Sequence, residues 1–172
     1  ATPLTKYRRH VLMLHPHTVI VYDELEASEA VRWEWLLHSP TEFKMDATKK
    51  TLSTNNKTKG WVAVTQLFGG HVFTLSQTDR FVVPPAITGA EYPNQWHLTA
   101  RVDGCSATRF LAIIQVGDEA VSIINRDGDT FNVGDWTVKA VLDASKAPEL
   151  TVSHRTEQAV FSYGTDNPAL NG

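Results

Sequence analysis

Seven histidines stand in this chain of 172 residues, and three of them, His15, His17 and His38, fall with Asp23 inside one short stretch. Imidazole and carboxylate at nearby strand positions can converge on a divalent ion. Pro16, however, puts His15 and His17 in a turn. At about 3.3 Å per residue, Asp23 then lies roughly 20 Å along an extended strand from His17. His15 and His17 are the metal-ligand candidates, set against plain turn histidines, and the expectation is that no metal is bound. Arg32, Glu34 and His38 form a second constellation, since even spacing puts them on one strand face. A guanidinium, a carboxylate and an imidazole together could hold an acidic sugar. The alternative is a cross-strand salt-bridge ladder on a solvated or interdomain face.

Five tryptophans raise the question of sugar stacking, which needs rings turned to solvent. Trp33, Trp35, Trp96 and Trp136 all fall on the apolar side of their strands, so core packing is the expectation for these four. Asp127-Gly128-Asp129 resembles the opening of a calcium loop but lacks the remaining ligands, and fits a hairpin turn. Cys105 follows Asp103-Gly104 with no His-Asn or CxxC context that would make it a nucleophile. There is no G-x-S-x-G, P-loop or dinucleotide fingerprint. Asn56-Lys57-Thr58 matches a glycosylation sequon, a pattern common by chance.

The elements that must position these residues are strands. Thr (19), Val (17) and Ile (6) make up about a quarter of the chain, and β-branched residues favour strands. Ala30–His38 alternates Val31, Trp33, Trp35 and Leu37 against Arg32, Glu34, Leu36 and His38. Gln95–Val102 and Asp135–Asp143 alternate in the same way, as strands on the face of a sandwich do. Val11–Leu14, Val19–Tyr22, Phe110–Val116 and Val121–Ile124 are apolar at both parities and read as central strands covered on both faces. Further strands are read at Phe43–Asp46, Trp61–Phe68, Val72–Ser76, Leu150–Ser153 and Ala159–Tyr163. Turn signals separate them at His15-Pro16-His17, Thr54-Asn55-Asn56-Lys57, Gly69-Gly70, Asp103-Gly104, Gly117-Asp118 and Asp127-Gly128-Asp129. No segment carries a helical period beyond a turn within Val141–Lys146. The fold class is therefore all-β: an antiparallel two-sheet β-sandwich with little or no helix. It is read as a single domain over residues 1–172, with a candidate sub-boundary at 81–93.

The net charge of −3 argues against a nucleic-acid partner, which draws a basic field. One cysteine excludes an intrachain disulfide. No run approaches the roughly 18 apolar residues of a membrane span. The first residues lack a basic region followed by an apolar stretch, and the chain starts without Met, which reads as a piece of something longer.

The stretch from Tyr7 to Ala27, with Val31–His38 after it, resembles the late β-sandwich region of heparinase II/III-like polysaccharide lyases. There, an Arg-x-hydrophobic-hydrophobic-Pro strand leads into a hydrophobic-Val-x-Asp strand and then a strand ending in His. The matching residues are Arg9, Leu12, Met13, Leu14, Pro16, Val19, Ile20, Val21, Asp23, Trp35, Leu37 and His38. The resemblance covers about 35 residues. It implies a larger bacterial parent, periplasmic or secreted, with a helical toroid ahead of stacked β-sheets. The reaction implied is β-elimination on uronic-acid polysaccharides such as glycosaminoglycans. It also implies that the catalytic residues, and the zinc ligands of some members, lie upstream. His15-Pro16-His17 is not followed by the family's Asp-Gly-Ser-Phe, and no His-Asn pair occurs. No catalytic residue, zinc ligand or cofactor is therefore assigned to this chain.

The expectation is a non-catalytic C-terminal β-sandwich domain, inactive alone, that supports the catalytic domain of the same chain or lines its substrate cleft. Acidic polysaccharide is the candidate ligand, at Arg32, Glu34 and His38. The competing readings are a stand-alone carbohydrate-binding module and a structural or adhesion sandwich. The strands at 7–14 and 17–24, apolar at both parities, are expected to need a cover, either the missing neighbour or a second copy.

Overall fold

The computed structural model describes residues 3–46, 51–56, 61–80, 94–117, 124–156 and 159–164. All regular elements among them are strands: β1 (Leu4–Leu14), β2 (Thr18–Ser39), β3 (Lys44–Asp46), β4 (Thr51–Asn56), β5 (Trp61–Gly69), β6 (Thr74–Thr78), β7 (Trp96–Gly117), β8 (Asn125–Asp127), β9 (Thr130–Val133), β10 (Trp136–Ala140), β11 (Leu150–His154) and β12 (Ala159–Tyr163). They form two antiparallel sheets. The larger runs β1-β2-β7-β5-β4-β3, with β6 added beside β7, and the smaller runs β12-β11-β10-β9-β8.

The first core lies between the sheets. Ile20, Tyr22, Leu111 and Ile113 of the larger sheet meet Phe131, Val138, Leu150 and Val152 of the smaller one. These residues come from one parity of each strand, so the period-two pattern sends the whole set inward.

Two 22-residue strands, β2 and β7, are the spine of the larger sheet. They pair along both ends, Thr18–Glu26 with Ala107–Gln115 and Trp33–Ser39 with Trp96–Val102. Between these stretches the register shifts, around Glu26, Val31 and Trp33. Gly104 sits in this irregular part of β7 at φ 75°, a conformation that favours glycine. A local break of this kind bends a strand pair. A second core straddles the break and is made only of larger-sheet residues: Leu25, Leu67, Phe110 and Ala112 from one side of it, Trp33, Trp35, Ala100 and Val102 from the other. Leu52 of β4 also packs with Phe43 and Leu98 of β7, so the β3–β4 end of the sheet curls over the far half of the spine.

Several expectations change here. Thr54-Asn55-Asn56 is not a turn but the second half of β4, paired with Trp61–Ala63 of β5. Asp103-Gly104 is not a turn between strands but a break inside β7, which also places Cys105 within a strand. Val11–Leu14 is not a central strand: β1 is an edge, and Val11 and Met13 are 63% and 64% exposed. Trp33 and Trp35 are buried as expected, whereas Trp96 and Trp136 are only half-buried. The Asp127-Gly128-Asp129 hairpin is found as read, with Asp127 paired to Thr130. The candidate boundary at 81–93 and the Lys57-Thr58 part of the sequon lie outside the described residues, as does all but Ile124 of the strand read at Val121–Ile124.

Candidate functional site

The far half of the spine presents one face to solvent, and the sequence candidates gather there. Three cross-strand rows span β2, β7 and β6: Glu34–Arg101–Thr74, Leu36–Thr99–Ser76 and His38–His97–Thr78. Residues directly opposite one another share a face, so these side chains form one flat platform. The other parity, with Trp33, Trp35, Leu98 and Ala100, faces the interior. Below it, the Gln77 side-chain amide binds the Phe43 backbone twice, donating to its carbonyl at 2.9 Å and accepting from its N–H at 3.0 Å.

Charge on the platform is locally matched. Arg32 Nε donates to Asp103 Oδ1 at 3.1 Å, and Arg101 Nε donates to both oxygens of the same carboxylate at 3.0 and 2.9 Å. Arg101 first and Arg32 second hold the Asp103 carboxyl below its ordinary range. The His38 and His97 rings lie 4.5 Å apart and tilted by 32°. Arg32, Glu34 and His38 therefore do share a face, but Arg32 is tied to Asp103 and His38 stacks on a histidine. Arg101, His97 and Asp103 complete the arrangement. The alternation read in Gln95–Val102 placed His97 and Arg101 on an outward face. Nothing in the sequence paired that face with β2.

The metal candidates do not converge. His15 and His17 sit exposed in the β1–β2 turn, and His38 lies at the other end of β2. Asp23 is buried and bound by Arg9 through two parallel hydrogen bonds, Nε to Oδ1 at 2.6 Å and Nη2 to Oδ2 at 2.8 Å. Arg9 and Asp23, both part of the family-like pattern, thus form a structural ion pair across β1 and β2. Among the described residues, no group of three or more His, Cys, Asp or Glu is placed to hold a metal. Burial raises the Cys105 thiol, which disfavours the reactive thiolate.

A second polar cluster was not legible in the sequence. At the sandwich edge, Arg8 bonds the Tyr163 hydroxyl and stacks over its ring at 5.3 Å. His10 lies 4.3 Å from the same ring and is pushed below its ordinary pKa by burial. Glu24, buried, meets Lys6 at 2.8 Å. Arg109, directly opposite Glu24, is buried and donates to the carbonyls of Val141, Asp143 and Lys146 at 3.2, 2.8 and 2.7 Å. Burial also raises the Tyr22 hydroxyl, which donates to the Val141 carbonyl at 2.8 Å. These groups fasten the β10–β11 connection and the β1 edge to the sandwich. A cavity of about 710 Å³ opens elsewhere, where β5 runs past the end of β4, lined mainly by apolar side chains such as Leu52, Leu67, Phe68 and Phe73.

The architecture is a two-sheet antiparallel sandwich, not closed into a barrel, with its larger sheet bent over itself. Neither a family model nor a curated protein sequence matches the chain. Solved structures do. A heparinase III gene product with methylated lysines superposes with a TM-score of 0.62 at 16% identity, over 96% of this chain and 24% of that one. A second structure of a heparinase III gene product gives a TM-score of 0.59 at 16% identity, over 92% of this chain and 24% of that one. The chain has the fold of that portion of the heparinase III structures and spans about a quarter of their length.

Proposed function

We propose that this chain is a β-sandwich domain of a heparinase II/III-like polysaccharide lyase, exported to the periplasm or beyond the cell. Its role there is to support the catalytic part rather than to carry the acid–base chemistry. The observation behind this reading is the fold match over 96% of the chain to a quarter of a heparinase III. The platform residues agree with a supporting role. Arg32 and Arg101 share one carboxylate on an open, flat face, whereas an eliminative site must bring a base, an acid and a charge neutraliser to one sugar. Arg32, Glu34 and His38 are on this reading the residues that meet the neighbouring domain or the acidic polysaccharide.

The C4–C5 double bond formed by β-elimination absorbs in the ultraviolet, so the test is direct. The purified chain, given heparan sulfate, hyaluronan or alginate, should produce no growth in that absorbance. Steady growth that is abolished by substituting Tyr163, His10 or His38 would overturn the non-catalytic role. Calorimetry of the same glycans on wild type and Arg32→Ala separates the carbohydrate-binding module from the supporting domain. Tight binding by the isolated chain, lost in the variant, would favour the module.

A further inference from the structure

The cavity beside β4 and β5 encloses about 710 Å³, a size typical of small-molecule sites. Met45 and Leu52, directly opposite each other on β3 and β4, line it together with Leu67 of β5 and Leu75 of β6. Phe68 and Phe73 complete the apolar wall. The polar groups in the lining differ in what they have left to offer. Asp46 already has a partner, and His71 Nδ1 meets the Thr108 hydroxyl at 3.3 Å. Arg126 of β8 is held in place without being neutralised. Its Nε donates to the Gly128 carbonyl at 2.8 Å, and its guanidinium lies over the Phe68 and Phe131 rings at 5.7 and 5.1 Å. Among the described residues it forms no ion pair, and its two Nη groups make no hydrogen bond.

We propose that this cavity is a binding site for a single-chain acyl carboxylate, with the carboxylate on the Arg126 guanidinium and the hydrocarbon chain among Met45, Leu52, Leu67 and Leu75. Charge and polarity together select this class. The Gly128 carbonyl takes the Nε–H, so the paired Nη groups are the edge that remains, and that fork matches the two oxygens of a carboxylate. The two rings beneath the guanidinium fix its position, so little side-chain freedom is lost when an anion docks. A wall of Leu, Met and Phe offers a sugar ring almost no hydrogen-bond partners but suits methylenes. Met45 and Leu75 are partly exposed, and unbranched, flexible Met45 can adapt to a chain beside it.

The volume takes a chain of about ten to twelve carbons. A ligand of that size at ordinary efficiency per atom binds with a dissociation constant on the order of 10–100 µM. The proposal is independent of the lyase reading, since it rests on the cavity and its lining alone, and either can fail without the other.

Titration calorimetry of the chain with octanoate, decanoate and dodecanoate, each below its micelle concentration, tests it. Dodecanoate should bind at one site, and affinity should rise roughly ten- to fifteenfold for every two methylenes added. Arg126→Gln should weaken dodecanoate at least tenfold and leave the weaker binding of uncharged decanol as it is. Arg155→Gln removes an exposed cation elsewhere, one paired with Asp135, and should change neither. Leu75→Asp sets an anion in the lining and should abolish binding of the whole series. Glucuronate, a carboxylate without an apolar body, should not bind. Thermal melts check that each variant is folded, which the solvent exposure of Arg126 and Leu75 favours. A folded wild type that binds no dodecanoate overturns the proposal. So does binding that ignores chain length, binding of glucuronate as tight as that of dodecanoate, or a loss that the two arginine variants share alike.

Discussion

Replacing Arg109 by Met removes a buried cation that three backbone carbonyls have been arranged around. The side chain is 4% exposed and donates to Val141, Asp143 and Lys146 in the β10–β11 connection. A hydrogen bond to a charged group contributes about 1.5–3 kcal/mol. The three bonds do not add, because their losses differ. The Val141 carbonyl keeps the Tyr22 hydroxyl, and residues 143 and 146 are exposed and can take water. Desolvating the guanidinium already costs part of what the bonds return. The expected net loss is about 3 kcal/mol, from the lower part of the range for breaking a buried charge arrangement. For a domain of this size that is roughly 6–12 °C in Tm. Glu24 sharpens the test. It lies opposite Arg109, it is buried, and its Oε1 has no hydrogen-bond partner. Lys6 is the ion-pair partner of that carboxylate, and Arg109 is the cation directly across the strand pair, so Glu24→Gln should cost less in the Arg109→Met background than in wild type. A coupling of about 1 kcal/mol or more is expected from a double-mutant cycle in urea. Amide exchange at Val141, whose N–H bonds the Glu149 carbonyl at 3.0 Å, should quicken in step with the loss. A cost under about 1 kcal/mol at unchanged urea slope, with no coupling to Glu24, would show that Arg109 is held by the connection rather than holding it.

Three further outcomes follow from the same packing. His10 is pushed below the ordinary value of 6.5 by burial, so between its folded and unfolded pKa values the unfolded chain binds more protons. Stability from this group is full above about pH 6.5 and falls as pH drops through that window. His10→Phe, which also removes the unpartnered Nε2, should flatten this part of the curve in denaturant melts between pH 7 and pH 5; an unaltered acid limb would refute the assignment. Arg9→Ala leaves the Asp23 carboxylate buried without its cation and should cost about 3–5 kcal/mol, while Arg9→Lys recovers only part of it because the two-point geometry is lost. Gly70→Ala would put a Cβ 2.1 Å from the Leu142 carbonyl oxygen, so the turn after β5 must move away from the smaller sheet. A loss of about 1–3 kcal/mol by thermal melting is expected, and an unchanged Tm would mean that the turn yields freely.

What the sequence made legible follows the range of each signal. Alternation is local, so the inward parities of Ala30–His38 and Gln95–Val102 were readable, and with them the burial of Trp33 and Trp35 and the outward set of Arg32, Glu34 and His38. Strand partnership is not local. Nothing in residues 96–103 announces that they pair with residues 33–39, so the joining of Arg101 and Asp103 to Arg32, and of His97 to His38, needed the fold. Strand continuity was hidden for a related reason. The polar run Glu24-Leu25-Glu26-Ala27-Ser28-Glu29 and the Asp103-Gly104 pair look like gaps between strands, yet each lies in a 22-residue strand near its irregular middle. A pattern reader takes a bend for a turn because both want glycine and polar residues. The same limit explains β1. Its both-parity apolar run is the signature of a strand covered on two faces, and the sequence does not say that the fold covers only one of them. Leu12 and Leu14 face the smaller sheet, while Val11 and Met13 face open solvent. Parity along a strand reports which residues share a face, and only the fold decides whether that face is covered.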